Sequence, residues 1–149
     1  MNQPMIFTFF EKSEQINEIA GALCKAQAQI KNVKADSDNP YFKSKYADLG
    51  SVFESIKEPL TSNGLSFTQL PGFDGNLVYI QTILMHVSGQ WISNRLALPP
   101  KKIDPQGIGS TITYGKRYAV SAIVGLASEI DDDGNGAYRD WETDRKSVV

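Results

Sequence analysis

The stretch DPQGIGSTITYGKRYAVSAIVGLASEIDDDGN, residues 104–135, combines a helical pattern with an unusual number of glycines. Asp104 is a good N-cap and Pro105 suits the first position of a helix. Small and apolar residues then recur at helical spacing to about Leu126 or Ala127 and are predicted to pack on a sheet: Ile108, Ile112, Gly115, Ala119, Ala122, Ile123 and Leu126. Because glycine costs a helix interior about 1 kcal/mol relative to alanine, Gly115 indicates close packing against strands.

The opposite side of this predicted helix is polar and basic. It carries Ser110, Thr113, Tyr114, Arg117 and Ser121, with Lys116 and Tyr118 beside the apolar stripe. Hydroxyls, arginine and aromatic rings are groups that contact phosphates, sugars and base faces. A solvated helix face accounts for most such patterns, so the helix alone leaves both interpretations open.

Upstream of this helix the apolar period changes to two. Residues 65–70, 77–87 and 91–98 are predicted strands, and the segments between them, PGFDGN and SGQ, are typical of turns. Short connections favour an antiparallel meander. The middle strand is apolar on both faces, which is expected at the centre of a small sheet covered by helices.

Two helices are predicted before the strands, over residues 13–33 and 48–60. Ser13 is the expected N-cap of the first, and Cys24, beside its apolar stripe, is expected to be partly buried. The segment between them, residues 35–47, has no single period and mixes aromatic residues with lysines.

Composition places the chain among ordinary globular proteins. It has 149 residues, 41% apolar and 21% charged, with no apolar run long enough to span a membrane. The net charge of −2 is uneven: residues 1–130 hold 12 Lys/Arg and 11 Asp/Glu, and residues 131–149 hold 3 and 6. Five basic residues lie in 95–117 against Asp104 alone, and a polyanion responds to such a local stripe. The single cysteine favours a reducing, cytoplasmic setting.

Three segments together resemble the ERF (essential recombination function) family of phage single-strand annealing proteins. They are AQAQIKNVKADSDNPYFKSKYADLGSVFESIKEPLTSNGLSFTQ (26–69), HVSGQWI (86–92) and the stretch 104–135, and the resemblance covers 13 to about 136. It implies a recombinase that needs no nucleotide or other cofactor, binds single-stranded DNA and pairs complementary strands. It also implies a homo-oligomeric ring or filament, a host or phage single-stranded-DNA-binding protein as a further partner, no membrane association and a cytoplasmic location in a bacterial host.

The predicted fold is α+β: a three-stranded antiparallel meander followed by a packed helix, preceded by two helices. The resemblance implies the same β-β-β-α core. We expect one annealing domain over residues 1–130 and an acidic tail over 131–149. Residues from about 139 onward, ending in DRKSVV, are interpreted as non-native read-through, because a common sequencing adapter encodes that ending.

No catalytic residue is expected, because annealing breaks no bond. The predicted DNA-binding residues lie in four places: Lys43, Lys45, Tyr41 and Tyr46 before the second helix, Arg95 on the third strand, Lys101 and Lys102 in the loop after it, and Ser110, Thr113, Tyr114, Lys116 and Arg117 on the last helix. Lysine and arginine would hold phosphates, and the tyrosines would stack on bases. Alternatives stay open: Arg95 could pair with Asp74, Trp91 could be core or a subunit contact, and Tyr46 could be buried.

Other functions are also compatible with parts of the chain. A protein could coat single-stranded DNA without annealing it, using the same binding groups. The segment DDDGNGAYRDWE, residues 131–142, matches the EF-hand loop pattern, with Asp131, Asp133, Asn135 and Glu142 at calcium-ligand positions. The exiting helix of an EF-hand is missing from the pattern. A nuclease metal site on Asp131–Asp133 is the weakest alternative, because three consecutive carboxylates do not define a two-metal geometry.

Overall fold

The computed structural model describes residues 10–31 and 48–126, which form three helices and one antiparallel sheet. In chain order the elements are β1 (Phe10–Lys12), α1 (Asn17–Gln29), α2 (Leu49–Thr61), β2 (Leu65–Phe73), β3 (Val78–His86), β4 (Trp91–Leu98) and α3 (Pro105–Val124). The order β2-β3-β4-α3 confirms the predicted meander and packed helix. The strand β1 was not predicted, and it adds a fourth strand to the sheet.

The sheet has the strand order β1-β4-β3-β2, with every neighbouring pair antiparallel. Strand β2 continues through residues 71–73, which were predicted to be a turn. Pro71 is compatible with this position because β2 pairs with β3 alone among the described residues, and proline is tolerated on an edge strand.

The two faces of the sheet have different surroundings in the described part of the chain. On β3, Val78, Ile80, Thr82 and Leu84 are buried and alternate with half-buried residues 79, 81, 83 and 85. The buried face meets the helices: Leu84 packs in a cluster with residues of α1, α2 and α3, and a second cluster joins Val78 and Ile80 to Ala119. Within residues 10–31 and 48–126 the helices therefore cover only one face of the sheet. The sequence had favoured a sheet covered by helices, because its middle strand is apolar on both faces.

The first helix is shorter than predicted and starts differently. It begins at Asn17, with Ile16 at the N-cap position, so Ser13 as the cap was wrong. The Ser13 hydroxyl instead bonds to the backbone of Trp91. The first N–H groups of α1 donate to Gln90, whose Oε1 lies 2.8 Å from Glu18 N and 2.9 Å from Ile19 N. Cys24 was predicted to be partly buried, which is wrong. It is exposed because Ile19, Ala22 and Ala26 form the buried side of α1.

The third helix begins where its capping residue predicted, and the second begins within one residue of its predicted start. Asp48 accepts a hydrogen bond from Ser51 N at 2.7 Å, and Asp104 accepts one from Gly107 N at 2.6 Å. Helix α3 ends at Val124, two residues early, and Gly125 follows with a φ of 75°. Ala122, expected in the packed stripe, is exposed, and the buried positions are Gly107, Thr111, Gly115, Ala119, Val120 and Val124. The buried side of α3 is therefore rotated slightly from the predicted one and includes Thr111. This polar residue can be buried because its hydroxyl donates a hydrogen bond to Gly107 O.

Candidate nucleic-acid interface

Two glycines let α3 lie close to its neighbours and fix which side of the helix faces outward. A Cβ at Gly115 would lie 2.8 Å from Ile80 Cγ1 and 3.1 Å from Leu98 Cδ1. A Cβ at Gly107 would lie 2.3 Å from the backbone oxygen of Lys102. The close packing inferred from Gly115 is confirmed. Because this side rests on β3 and β4, Ser110, Thr113 and Tyr118 lie on the outward side of α3.

A side chain from the sheet also holds the middle of α3. Gln69 Nε2, on β2, donates to Lys116 O and to Thr82 Oγ1, both at 3.0 Å. The backbone at Lys116 is therefore tied to the sheet, while its side chain is half-buried. This bond fixes the position of the turn that carries the Lys116-Arg117 pair.

The outward side of α3 presents a group that we call the α3 surface: Ser110, Thr113, Tyr114, Arg117 and Tyr118. Ser110, Thr113 and Tyr118 are exposed, and Tyr114 and Arg117 are half-buried. The Arg117 guanidinium carbon lies 5.5 Å from the centre of the Tyr114 ring, within cation–π range. The Tyr114 and Tyr118 rings stack, with centroids 6.1 Å apart and planes 21° from parallel. The structure thus joins a cation, two rings and two hydroxyls on the outward side of α3, a helix whose own sequence contains no acidic residue.

Arg117 also lies near the start of α2. The pKa of the Asp48 carboxyl is lowered, first by hydrogen bonds from the backbone and side chain of Ser51 and also by the positive charge of Arg117. A carboxylate at the amino end of a helix is further favoured by the helix dipole. The positive charge of Arg117 therefore acts on the carboxylate at the start of α2 as well as on the Tyr114 ring of its own helix.

This geometry predicts how stability depends on pH. Because the folded pKa of Asp48 is below its unfolded value, the ionised carboxylate stabilises the fold at pH values above the unfolded pKa, and this contribution is lost as the pH falls through the folded pKa. We expect Asp48→Asn to match the wild type within a few tenths of a kcal/mol near pH 7, since asparagine caps as well as aspartate. Melting temperatures measured from pH 7 to pH 2.5 should fall more steeply for the wild type. Parallel curves for the two proteins would contradict this role of the charge.

The basic loop before α3 lies at the amino end of the α3 surface. Lys101 and Lys102 are exposed, and the Lys102 backbone packs against Gly107 in the first turn. Ten residues separate Gly107 from Arg117, which corresponds to about 15 Å along the helix. A bound strand that contacts both the loop and Arg117 would therefore have to extend along this length of the helix.

Arg95 lies on the other face of the sheet. It pairs in register with Gln81, whereas Ile80 and Leu98, which contact α3, belong to the helix-covered face. Its Nε donates to Gln81 Oε1 at 3.2 Å, and Asp74 accepts instead from the Tyr79 hydroxyl at 2.9 Å. Arg95, predicted to bind DNA together with the last helix, therefore lies on the opposite face of the sheet from that helix, because a residue on an antiparallel strand shares a face with its direct partner.

That second face contains a shallow cavity of about 480 Å³. Its lining mixes Trp91, Ile83 and Met85 with polar residues and Glu11. Trp91 is half-buried there, so it is neither fully core nor fully exposed. Glu11 and Asp74 lie close to this face and Arg95 lies on it, so its charges are mixed.

Several predicted site residues lie outside the described residues. These are Tyr41, Lys43, Lys45 and Tyr46, together with the alternative calcium ligands Asp131, Asp133, Asn135 and Glu142. In residues 10–31 and 48–126, no group of three or more His, Cys, Asp or Glu side chains could hold a metal ion. No helix in the same part of the chain is long and apolar enough to cross a membrane.

Sequence reasoning did not include Tyr118 among the binding residues. It lies four residues after Tyr114, so its ring was placeable on the same side of a helix, and this spacing was the available signal. Its position beside the apolar stripe made it ambiguous. The structure shows it to be 58% exposed.

Comparison with known proteins gives one match. A model of the ERF superfamily matches residues 19–148, which include all of α2, the sheet from β2 to β4, and α3. Searches of curated proteins and of solved structures found no match. Membership supports a role in recombination by single-strand annealing and in binding single-stranded DNA. Because the matched residues span most of the chain, the protein belongs to the ERF superfamily.

Proposed function

We propose that this protein binds single-stranded DNA along the α3 surface and anneals complementary strands without ATP or another cofactor. The observation that carries the proposal is the arrangement on α3, where Arg117, two stacked tyrosines and exposed hydroxyls share the outward side of a helix whose own sequence contains no acidic residue. These groups fit a phosphate backbone and unpaired bases, and membership of the ERF superfamily points to the same substrate.

The proposed mechanism requires binding and release, and no bond is broken. Arg117 holds a phosphate, with Lys101 and Lys102 as further phosphate contacts at the amino end of α3. Hydroxyls of Ser110 and Thr113 add contacts to the backbone of the strand. Bases left unpaired can then meet a complementary strand, and the duplex that forms no longer offers single-stranded bases to stack on the protein.

Assembly of several copies is part of the proposal, since annealing requires two strands to be held near each other. Strand β2 supports it: β2 has nine residues, and its outer edge pairs with no strand in the described part of the chain. Leu70 on this strand is 55% exposed. An open edge of this length can pair with another copy. A host or phage single-stranded-DNA-binding protein is a further proposed partner, as the source of coated strands.

The direct test follows annealing of two complementary labelled oligonucleotides by the full chain, with no nucleotide present and with EDTA. We expect annealing well above the spontaneous rate, and we expect binding to weaken steeply as salt rises from about 50 to 200 mM, because phosphate contacts release counterions. Non-complementary oligonucleotides are the control for aggregation. Light scattering on the same samples reports whether the protein assembles on the strand.

Each alternative has its own result in this experiment. Tight binding without faster annealing would indicate a protein that coats single-stranded DNA. Activity lost in EDTA and restored by calcium would favour the metal-binding alternatives. A protein that binds no oligonucleotide even at low salt would refute the proposed function.

A further inference from the structure

Tyr118 is unusually exposed for an aromatic residue. Its side chain is 58% exposed, although aromatic residues usually bury most of their surface. It stacks on Tyr114 one turn earlier, and the Arg117 guanidinium lies against the same Tyr114 ring. The three side chains therefore form one group around the Tyr114 ring, and the Tyr118 ring is its most exposed aromatic member.

The spacing of the stack determines where a base can enter. The centroids of Tyr114 and Tyr118 are 6.1 Å apart, and part of that distance is lateral offset. Inserting a base between two rings needs about 6.8 Å between their planes, at roughly 3.4 Å per stacked layer. A base therefore does not fit between the two tyrosine rings. Tyr114 is also half-buried, and both the Tyr118 ring and the Arg117 guanidinium lie against it.

We infer that Tyr118, and not Tyr114, provides the base-stacking surface of α3, so that a nucleobase of single-stranded DNA extends the stack from its exposed end. This inference rests on the proposed function, and it identifies the group that would hold an unpaired base. Arg117, adjacent in sequence and close to the same ring system, holds a neighbouring phosphate. Base and phosphate are then bound by side chains that position each other.

The role assigned to Tyr114 changes accordingly. It becomes a positioning residue, because its ring contacts both the Arg117 cation and the Tyr118 ring. Stacking of this kind tolerates any base, since every base has a π-face. Binding through Tyr118 is therefore expected to be insensitive to sequence, as annealing of arbitrary complementary strands requires.

The test compares Tyr118→Leu, Tyr118→Phe and Tyr118→Trp in the full chain. Affinity for a labelled oligonucleotide containing 2-aminopurine is measured across a salt series. Loss of one stacked base is expected to weaken the leucine variant on the order of 5- to 100-fold. The phenylalanine and tryptophan variants should stay within about threefold of the wild type, because the π-face is kept. The salt dependence of all three should match the wild type, since no charge changes.

Fluorescence and a matched control separate stacking from a loss of structure. Quenching of 2-aminopurine on binding should be weaker with the leucine variant. Phe10→Leu removes another aromatic ring of similar exposure, 55%, and should bind like the wild type. If the wild type binds and the leucine variant binds equally well, the inference is overturned and the proposed function stays intact. Equal losses in all three Tyr118 variants would also overturn it, because aromatic substitutes would have failed. A wild type that does not bind would refute both.

Discussion

Gly107→Ala is expected to lower the free energy of unfolding by about 2 kcal/mol, because the strain of an overpacked contact exceeds the gain in helix propensity. The new Cβ would lie 2.3 Å from Lys102 O and 2.9 Å from Lys102 N, which are backbone atoms that cannot rotate away. The loop before α3 would have to shift, and Asp104 would then lose its hydrogen bond to Gly107 N. For a domain of this size the melting temperature should fall by roughly 4–8 °C.

Gly109→Ala is the matched control in the same helix. No atom outside its own helix turn lies within 4 Å of a Cβ at Gly109, so alanine should raise stability by up to about 1 kcal/mol. Thermal and urea unfolding of both variants gives the comparison. Equal effects of the two substitutions would show that Lys102 yields more easily than its contact with Gly107 indicates.

Arg117→Ala is expected to lower both the affinity for single-stranded DNA and the salt dependence of binding. Loss of a charged contact to phosphate should weaken affinity for single-stranded DNA by about 2 kcal/mol, or about 30-fold. The slope of log affinity against log salt should also fall by about 0.7, the value for one phosphate on a single strand. Arg117→Lys should keep the salt slope and lose part of the affinity, because lysine lacks the planar guanidinium that stacks on Tyr114.

Lys25→Ala provides the control for charge alone. Lys25 is exposed on α1, away from the α3 surface, and its removal changes the net charge by the same amount. We expect its affinity and salt slope to stay close to those of the wild type. If both alanine variants weaken binding equally, the general field of the protein holds the strand, and Arg117 makes no specific contact. Circular dichroism of each variant verifies folding.

Much of the fold followed from signals within a few residues. Asp104-Pro105 marks the start of α3 because a cap satisfies N–H groups two or three positions ahead. The meander followed from period-two segments joined by short turns, where Gly75 and Gly89 take positive φ. Gly115 predicted close packing of α3, because an interior glycine is costly without such a contact.

Features that depend on distant partners were missed. The three residues of β1 have no pattern of their own and become a strand by pairing with β4. The start of α1 is capped by Gln90, 72 residues from Glu18, so no local search finds it. Strand β2 could continue through Pro71 because it lies at the edge, a property of the assembled sheet.

Part of the candidate site could likewise be predicted from local sequence, and part could not. Residue types and helical spacing were enough to place Ser110, Thr113, Tyr114 and Arg117 on one side of a helix, because that spacing is a property of the chain itself. The register of β3 with β4 put Arg95 on the opposite face from α3, and the packing of α3 on Ile80 and Leu98 left Tyr118 exposed and stacked on Tyr114. These two results required the tertiary structure, because which face of a strand or helix is covered depends on contacts between residues far apart in the sequence.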